Sequence, residues 1–180
     1  MSDQITGFLS PWLRDRRLKM VRPYVQGRVL DYGCGVGVLA EMCKPDFYLG
    51  VDIDKESIGI AKRTYPHFRF EYEVPEAGNF DTIVGLAVIE HLSNPVALLE
   101  KFKLILEPEG CVVLTTPHPL FRGLHDFGSK IGLFSPDNDE HEQFIDYRLR
   151  EEIATRAGLV IKEYKRFLLG ANQLFVLRQP

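Results

Sequence analysis

The chain has 180 residues, 45% of them hydrophobic and 26% charged, enough to bury one sizeable core, and a single domain over residues 1–180 is expected. A net charge of −3 excludes the overall basic footprint of a nucleic-acid binder, and no apolar window approaches the roughly 18 residues of an integral membrane span. The three cysteines, Cys34, Cys43 and Cys111, lack C-x-x-C spacing and no signal peptide opens the chain, which together point to reduced thiols in a cytoplasmic protein rather than a disulfide framework or a zinc site.

Residues 10–22 read as a helix within a basic N-terminal segment, 1–26, with Ser10 as N-cap, Pro11 at the first helical position and Trp12 and Leu13 on an apolar side. Arg14, Arg16, Arg17, Lys19 and Arg22 crowd this helix. They read either as a solvated face or as a lid that attracts an anionic substrate or an acidic membrane surface. Pro23 ends the helix. Residues 29–40, VLDYGCGVGVLA, then run from an apolar strand through a glycine turn into a further helix. Gly33, Gly35 and Gly37 let the backbone turn sharply and approach a ligand without Cβ obstruction. A second strand over 47–51 leads into Asp52, an acid at a strand end placed to accept hydrogen bonds from ribose hydroxyls.

The spacing discriminates between two nucleoside cofactors. A dinucleotide turn reads G-x-G-x-x-G/A, but Val38 stands at its third glycine, and Asp31 would oppose a pyrophosphate. A carboxylate there suits a cation. S-adenosylmethionine (SAM) carries an ammonium and a sulfonium and no phosphate. The run D-x-G-x-G-x-G over Asp31, Gly33, Gly35 and Gly37 resembles the first motif of the class I, Rossmann-like SAM-dependent methyltransferases. The resemblance implies that Asp31 orients the methionine amino end, that Gly33, Cys34, Gly35 and Gly37 line the cofactor, that Asp52 binds the ribose and that Ile53 packs on the adenine.

Further along, Asp54 can cap a helix with Ile58, Ala61 and Tyr65 on its buried stripe, stopped by Pro66. A third strand is expected over 67–72. The family often places an acid after it against the adenine amino group, for which Glu71 and Glu73 are the candidates. Phe80-Asp81-Thr82-Ile83-Val84 is similar to the family's fourth strand, and the stretch through His91 and Leu92 is similar to its small-molecule branch. That places Leu86 and Ala87 beside the adenine and the transfer site. His91 either lines the active site or bonds backbone at a helix start. No (N/D)-P-P-(Y/F) motif of nucleic-acid amino-methyltransferases follows the strand, and the acids that hold Mg²⁺ in catechol-type enzymes are apolar here, so no metal is expected.

Asn94-Pro95 starts a helix whose Leu98, Leu99, Phe102, Ile105 and Leu106 face the sheet, and a turn over 107–110 precedes a fifth strand over 111–115. A helix over 146–157 ends at Gly158, and strands over 160–167 and 172–177 close the chain. The resemblance implies an α/β, Rossmann-like sheet of seven mostly parallel strands in the order 3-2-1-4-5-7-6, the last antiparallel, with helices on both faces. Residues 117–144 lack periodicity, carry aromatics, and follow the fifth strand, where ligands bind in such sheets; they read as an acceptor-site insertion or lid.

Methyl transfer from a sulfonium asks the protein mainly to align the acceptor and exclude water, and a hydroxyl acceptor also needs its proton removed. His118 at a strand end and His141 in the insertion are candidate bases beside His91. The expected function is SAM-dependent methylation, by preference O-methylation, of a small-molecule acceptor. A non-catalytic SAM-fold binding or scaffold protein and an NAD-dependent oxidoreductase remain as alternatives.

Overall fold

Apolar residues of alternating parity give each strand two buried faces, and the chain covers both with helices. The computed structural model describes residues 10–118 and 147–180, with side chains over 11–118 and 151–180. The elements run α1 (Ser10–Val21), β1 (Val29–Tyr32), β2 (Tyr48–Val51), α2 (Lys55–Thr64), β3 (Arg69–Glu71), β4 (Phe80–Leu86), α3 (Pro95–Ile105), β5 (Leu106–Pro117), α4 (Tyr147–Arg156), β6 (Val160–Phe167) and β7 (Asn172–Arg178). The seven strands form one sheet in the order β3-β2-β1-β4-β5-β7-β6. β1 to β5 are parallel and β7 runs antiparallel to both its neighbours, as the sequence implied.

One face carries Leu30, Val51, Ile83, Val112, Leu114 and Phe175 against Leu99, Phe102 and Ile105 of α3 and Ile153 and Ala157 of α4. The other carries Val29, Tyr48, Phe70, Val84, Val113 and Leu174 against Leu18 and Val21 of α1 and Ile58 and Ala61 of α2. The helix starts follow local chemistry. The Asp54 carboxylate accepts hydrogen bonds from the Glu56 and Ser57 amides, and the Asn94 side chain accepts one from Ala97 N ahead of Pro95.

Three local expectations change. The glycine turn is not followed by an α-helix but by a five-residue 3-10 turn, Val38–Met42. Pro45 holds Lys44 extended (φ −90, ψ 143), which leaves too few residues after Gly37 for an i→i+4 ladder to grow. The turn over 107–110 is absorbed into β5: Leu106 pairs with Phe80, and pairing resumes at Cys111 opposite Thr82. Leu106 is buried directly after α3, so the ladder begins there and the next four residues bulge from it. The third strand is also shorter than the reading, Arg69–Glu71.

α3 offers a direct check on which face is core. Phe102 is fully buried whereas Leu104 is 81% exposed. Phe102→Ala is expected to lower unfolding free energy by about 3–5 kcal/mol in urea melts, and Leu104→Ala to change it by less than about 0.5 kcal/mol.

Candidate functional site

The carboxyl ends of β1, β2 and β4 open onto a trough, and backbone hydrogen bonds fix its floor. Val51 O, at the end of β2, accepts from both Gly33 N (2.8 Å) and Cys34 N (3.1 Å). The Asp52 carboxylate fastens the next part of the turn: Oδ2 accepts from Gly35 N at 2.8 Å and Oδ1 from Asp54 N at 2.9 Å. All three glycines have positive φ. A Cβ at Gly33 would stand 2.4 Å from Val88 Cγ2 and one at Gly37 2.7 Å from Phe70 Cε1, whereas one at Gly35 would meet nothing within 4 Å. Two of the glycines thus serve packing, and Gly35 presents bare backbone to open space.

The trough has two chambers that share Gly33, Gly35, Asp54, Ser57 and Leu86. The first, about 450 Å³, is lined by Asp31, Cys34 and Leu39, and by Arg14 and Arg17 of α1. Asp31 is 2% exposed and accepts a 2.8 Å hydrogen bond from Tyr48 Oη. Burial pushes its carboxyl up to about 7, against the pull of the Tyr48 hydroxyl and with a smaller push from Asp52. A buried carboxyl in this state gains most from a cationic ligand. The same burial, with Asp31 and Asp52 nearby, pushes the Cys34 thiol up and keeps it protonated.

The second chamber, about 780 Å³, is lined by Asp52, Ile53, Tyr72, Glu73, Ala87 and His91. Ile53 is 88% exposed, an apolar side chain standing over an open slot. Glu73 lies on this wall, while Glu71 is held in an ion pair with Arg69 at 3.1 Å, so the two candidate acids part company here. Ala87 takes a left-handed conformation (φ 56) where β4 ends, its amide donating to Thr115 O at 2.9 Å. That is a strained state for a residue with a Cβ, of the kind that gathers at ligand sites.

The histidines separate. His91 closes the 3-10 turn Ile89–His91, exposed on the wall of the second chamber. His118 is buried just past β5, its amide donating to Ala171 O at 2.8 Å, and it is not among the residues lining either chamber. His141 and most of 117–144 lie outside the described residues. Among the described residues no three His, Cys, Asp or Glu side chains converge as metal ligands. Sequence reasoning missed two features of the trough. One is Tyr48, the partner of Asp31, because nothing in a strand pattern marks a tyrosine that bonds across to a neighbour. The other is the placement of Arg14 and Arg17 on the chamber wall, signalled only by their i, i+3 spacing.

A family model described as a methyltransferase domain matches residues 4–164. A ubiquinone biosynthesis O-methyltransferase of Dinoroseobacter shibae is 31% identical over 112 residues, which are 56% of this chain and 45% of the relative. The chain thus spans under half the length of that curated relative. Among solved structures, a SAM-dependent methyltransferase of Clostridium acetobutylicum is similar with a TM-score of 0.67 at 13% identity, covering 99% of this chain and 92% of that one. The [4+2]-cyclase SpnF is similar with a TM-score of 0.72 at 15% identity, covering 92% and 81%. At these identities the structures speak for the fold alone.

The raised Asp31 carboxyl carries a sign that can be measured. Because its folded value (about 7) lies above the ordinary carboxylate value of 3.8, its contribution to stability is full in acid and is lost as pH rises from about 4 through about 7. Asp31→Asn removes that dependence. In thermal melts without ligand, the Tm of the variant relative to wild type is expected to climb between about pH 4 and about pH 7 and then level off; a constant difference would contradict the burial argument.

Proposed function

Because this chain belongs to the class I SAM-dependent methyltransferases, we propose that it transfers a methyl group from SAM to a hydroxyl of a small-molecule acceptor. The observation that carries this reading is the two-chamber trough, with an acid and two arginines at one end and a nucleoside-shaped slot at the other, joined across Gly35. The residues present fit SAM. The space in front of Gly35 is open, and the buried Asp31 carboxyl calls for a cation.

In this reading Asp31 holds the methionine ammonium, and Arg14 and Arg17 face its carboxylate, so one zwitterion is met at both charges. Gly33, Cys34, Gly35 and Gly37 shape the turn beneath it. Each Asp52 oxygen keeps a second lone pair beyond its backbone bond and can accept from a ribose hydroxyl. Ile53 and Tyr72 flank the adenine, Glu73 takes its amino group, and Leu86 and Ala87 border the point of transfer. When bound, SAM supplies a methyl group already activated by its sulfonium. The protein's share is therefore alignment, exclusion of water and removal of the acceptor proton. His91, on the wall of the second chamber, is the first candidate base for that proton, and His118, buried just past β5 outside both chambers, and His141 are the others. The 117–144 segment would close over the acceptor. O-methylation is the chemistry named for the Dinoroseobacter relative, and a base at the strand ends agrees with it. No described helix is long and apolar enough to cross a membrane, and we place the enzyme in the cytoplasm.

Calorimetric titration tests the assignment. SAM is expected to bind with micromolar affinity and NAD not to bind, since its pyrophosphate would meet the Asp31 side of the turn. Asp52→Ala, which removes the ribose acceptor and frees Gly35 from its clamp, should weaken SAM binding by more than about tenfold. Unchanged affinity in that variant would remove the ribose assignment, and NAD binding in place of SAM would overturn the reading.

A further inference from the structure

The turn between β6 and β7 is built against its own residue preferences. Leu168 and Leu169 both have φ 54, and the turn is closed by Gly170 N to Phe167 O (3.1 Å) and Ala171 N to Leu168 O (2.9 Å). Two consecutive left-handed residues in a hairpin turn suit Asn-Gly, because a Cβ crowds the carbonyl in that region. Leucine has no polar side chain to compensate. Nor does the core gain from the second of them, since Leu169 is 101% exposed. A strained pair of leucines, one wholly in water, makes sense where something outside the chain covers it.

The surroundings say what kind of surface that is. Asn172 pairs with Pro117 at the carboxyl end of β5, so the tip projects from the same rim of the sheet as the trough. α1 lies beside it, with Arg17 Nε donating to Asn172 Oδ1 at 3.0 Å and Leu18 sharing a cluster with Leu174 and Phe167. Apart from Arg14 and Arg17, which line the first chamber, α1 and β6 hold five basic and two acidic residues in a chain of net charge −3. The two acids, Asp15 and Glu163, are already ion-paired with Lys19 and Lys165. Trp12, on α1, is 45% exposed with the Arg16 guanidinium 5.4 Å from its ring centroid.

We infer that this rim, with Leu168 and Leu169 at its tip and the exposed Arg16 of α1 and Arg166 of β6 beside it, docks reversibly on an anionic lipid surface. Apolar tips beside clustered Lys and Arg, with a tryptophan at the boundary, match the layering of a bilayer whose headgroups are negative. A second copy of the chain is a poorer occupant, because a two-fold contact through this face would bring its positive charge against itself.

Flotation with lipid vesicles tests this. The protein is expected to float with vesicles of equal parts phosphatidylcholine and phosphatidylglycerol, to stay behind with phosphatidylcholine alone, and to be released when salt is raised to about 1 M. The double variant Leu168→Asn, Leu169→Gly should lose vesicle binding by about tenfold or more while melting no lower than wild type, since it relieves the turn. Arg16→Glu with Arg166→Glu, both exposed, should lose it through charge with the tip intact. Failure of the wild type to float with the anionic vesicles, or equal flotation of the leucine variant, would overturn the inference. So would a concentration-dependent dimer that the leucine variant abolishes, which would assign the tip to a second copy.

Discussion

One carboxylate holds the two halves of the trough together. Asp52 receives Gly35 N on one oxygen and Asp54 N on the other, so the turn leaving β1 and the loop leaving β2 are tied by a single side chain. A bond from a backbone amide to an ionised carboxylate is among the stronger neutral-to-charged pairs in proteins, and here two such bonds act on glycine-rich backbone that would otherwise be free to rearrange. The consequence is geometric. Gly35 is pinned with its Cα open to solvent, the Asp54 cap starts α2 at a fixed place, and the two chambers meet at residues common to both.

The second constraint is electrostatic. Asp31 sits below the turn, accepting a hydrogen bond from Tyr48 Oη, and burial leaves it half-willing to ionise at neutral pH. A fold optimised for stability alone would place an asparagine or an apolar residue there. Retaining the carboxyl costs stability at neutral pH and creates a site that is completed by a cation. Arg14 and Arg17 line the same chamber as Asp31, and in the proposed reading they meet the carboxylate of the amino-acid end of SAM while the chamber beside Ile53 takes its nucleoside.

Much of this is legible in the sequence, because it rests on local chemistry. The glycine turn, the Asp54 and Asn94 caps, the Gly158 stop and the two closing strands each carry their own signal in residue type and spacing. Sheet order came through resemblance, since nothing in a strand's own pattern states which strand it pairs with. What could not be read was decided by tertiary contact. The helix expected after Gly37 gave way to a 3-10 turn once Pro45 fixed Lys44 in extended backbone. That Glu71 pairs with Arg69 while Glu73 lines the second chamber is a tertiary fact the strand pattern does not carry. His118, legible as a strand-end residue, is buried with its backbone amide donating to Ala171 O, a placement its own strand pattern does not state. The left-handed leucines at the β6–β7 tip were invisible, because turn conformation there contradicts residue preference.

The central claim is that a buried, partly protonated Asp31 is completed by the ammonium of SAM, and proton counting tests it most directly. Calorimetric titration with SAM in buffers of different ionisation enthalpy, at about pH 6 and about pH 7, where the ligand's amine is already charged, reads the protons exchanged on binding. The account predicts release of about half a proton near pH 7, more near pH 6, and none from Asp31 in the Asp31→Asn variant. Tight SAM binding with no proton released near pH 7, or with the same release in that variant, would contradict it.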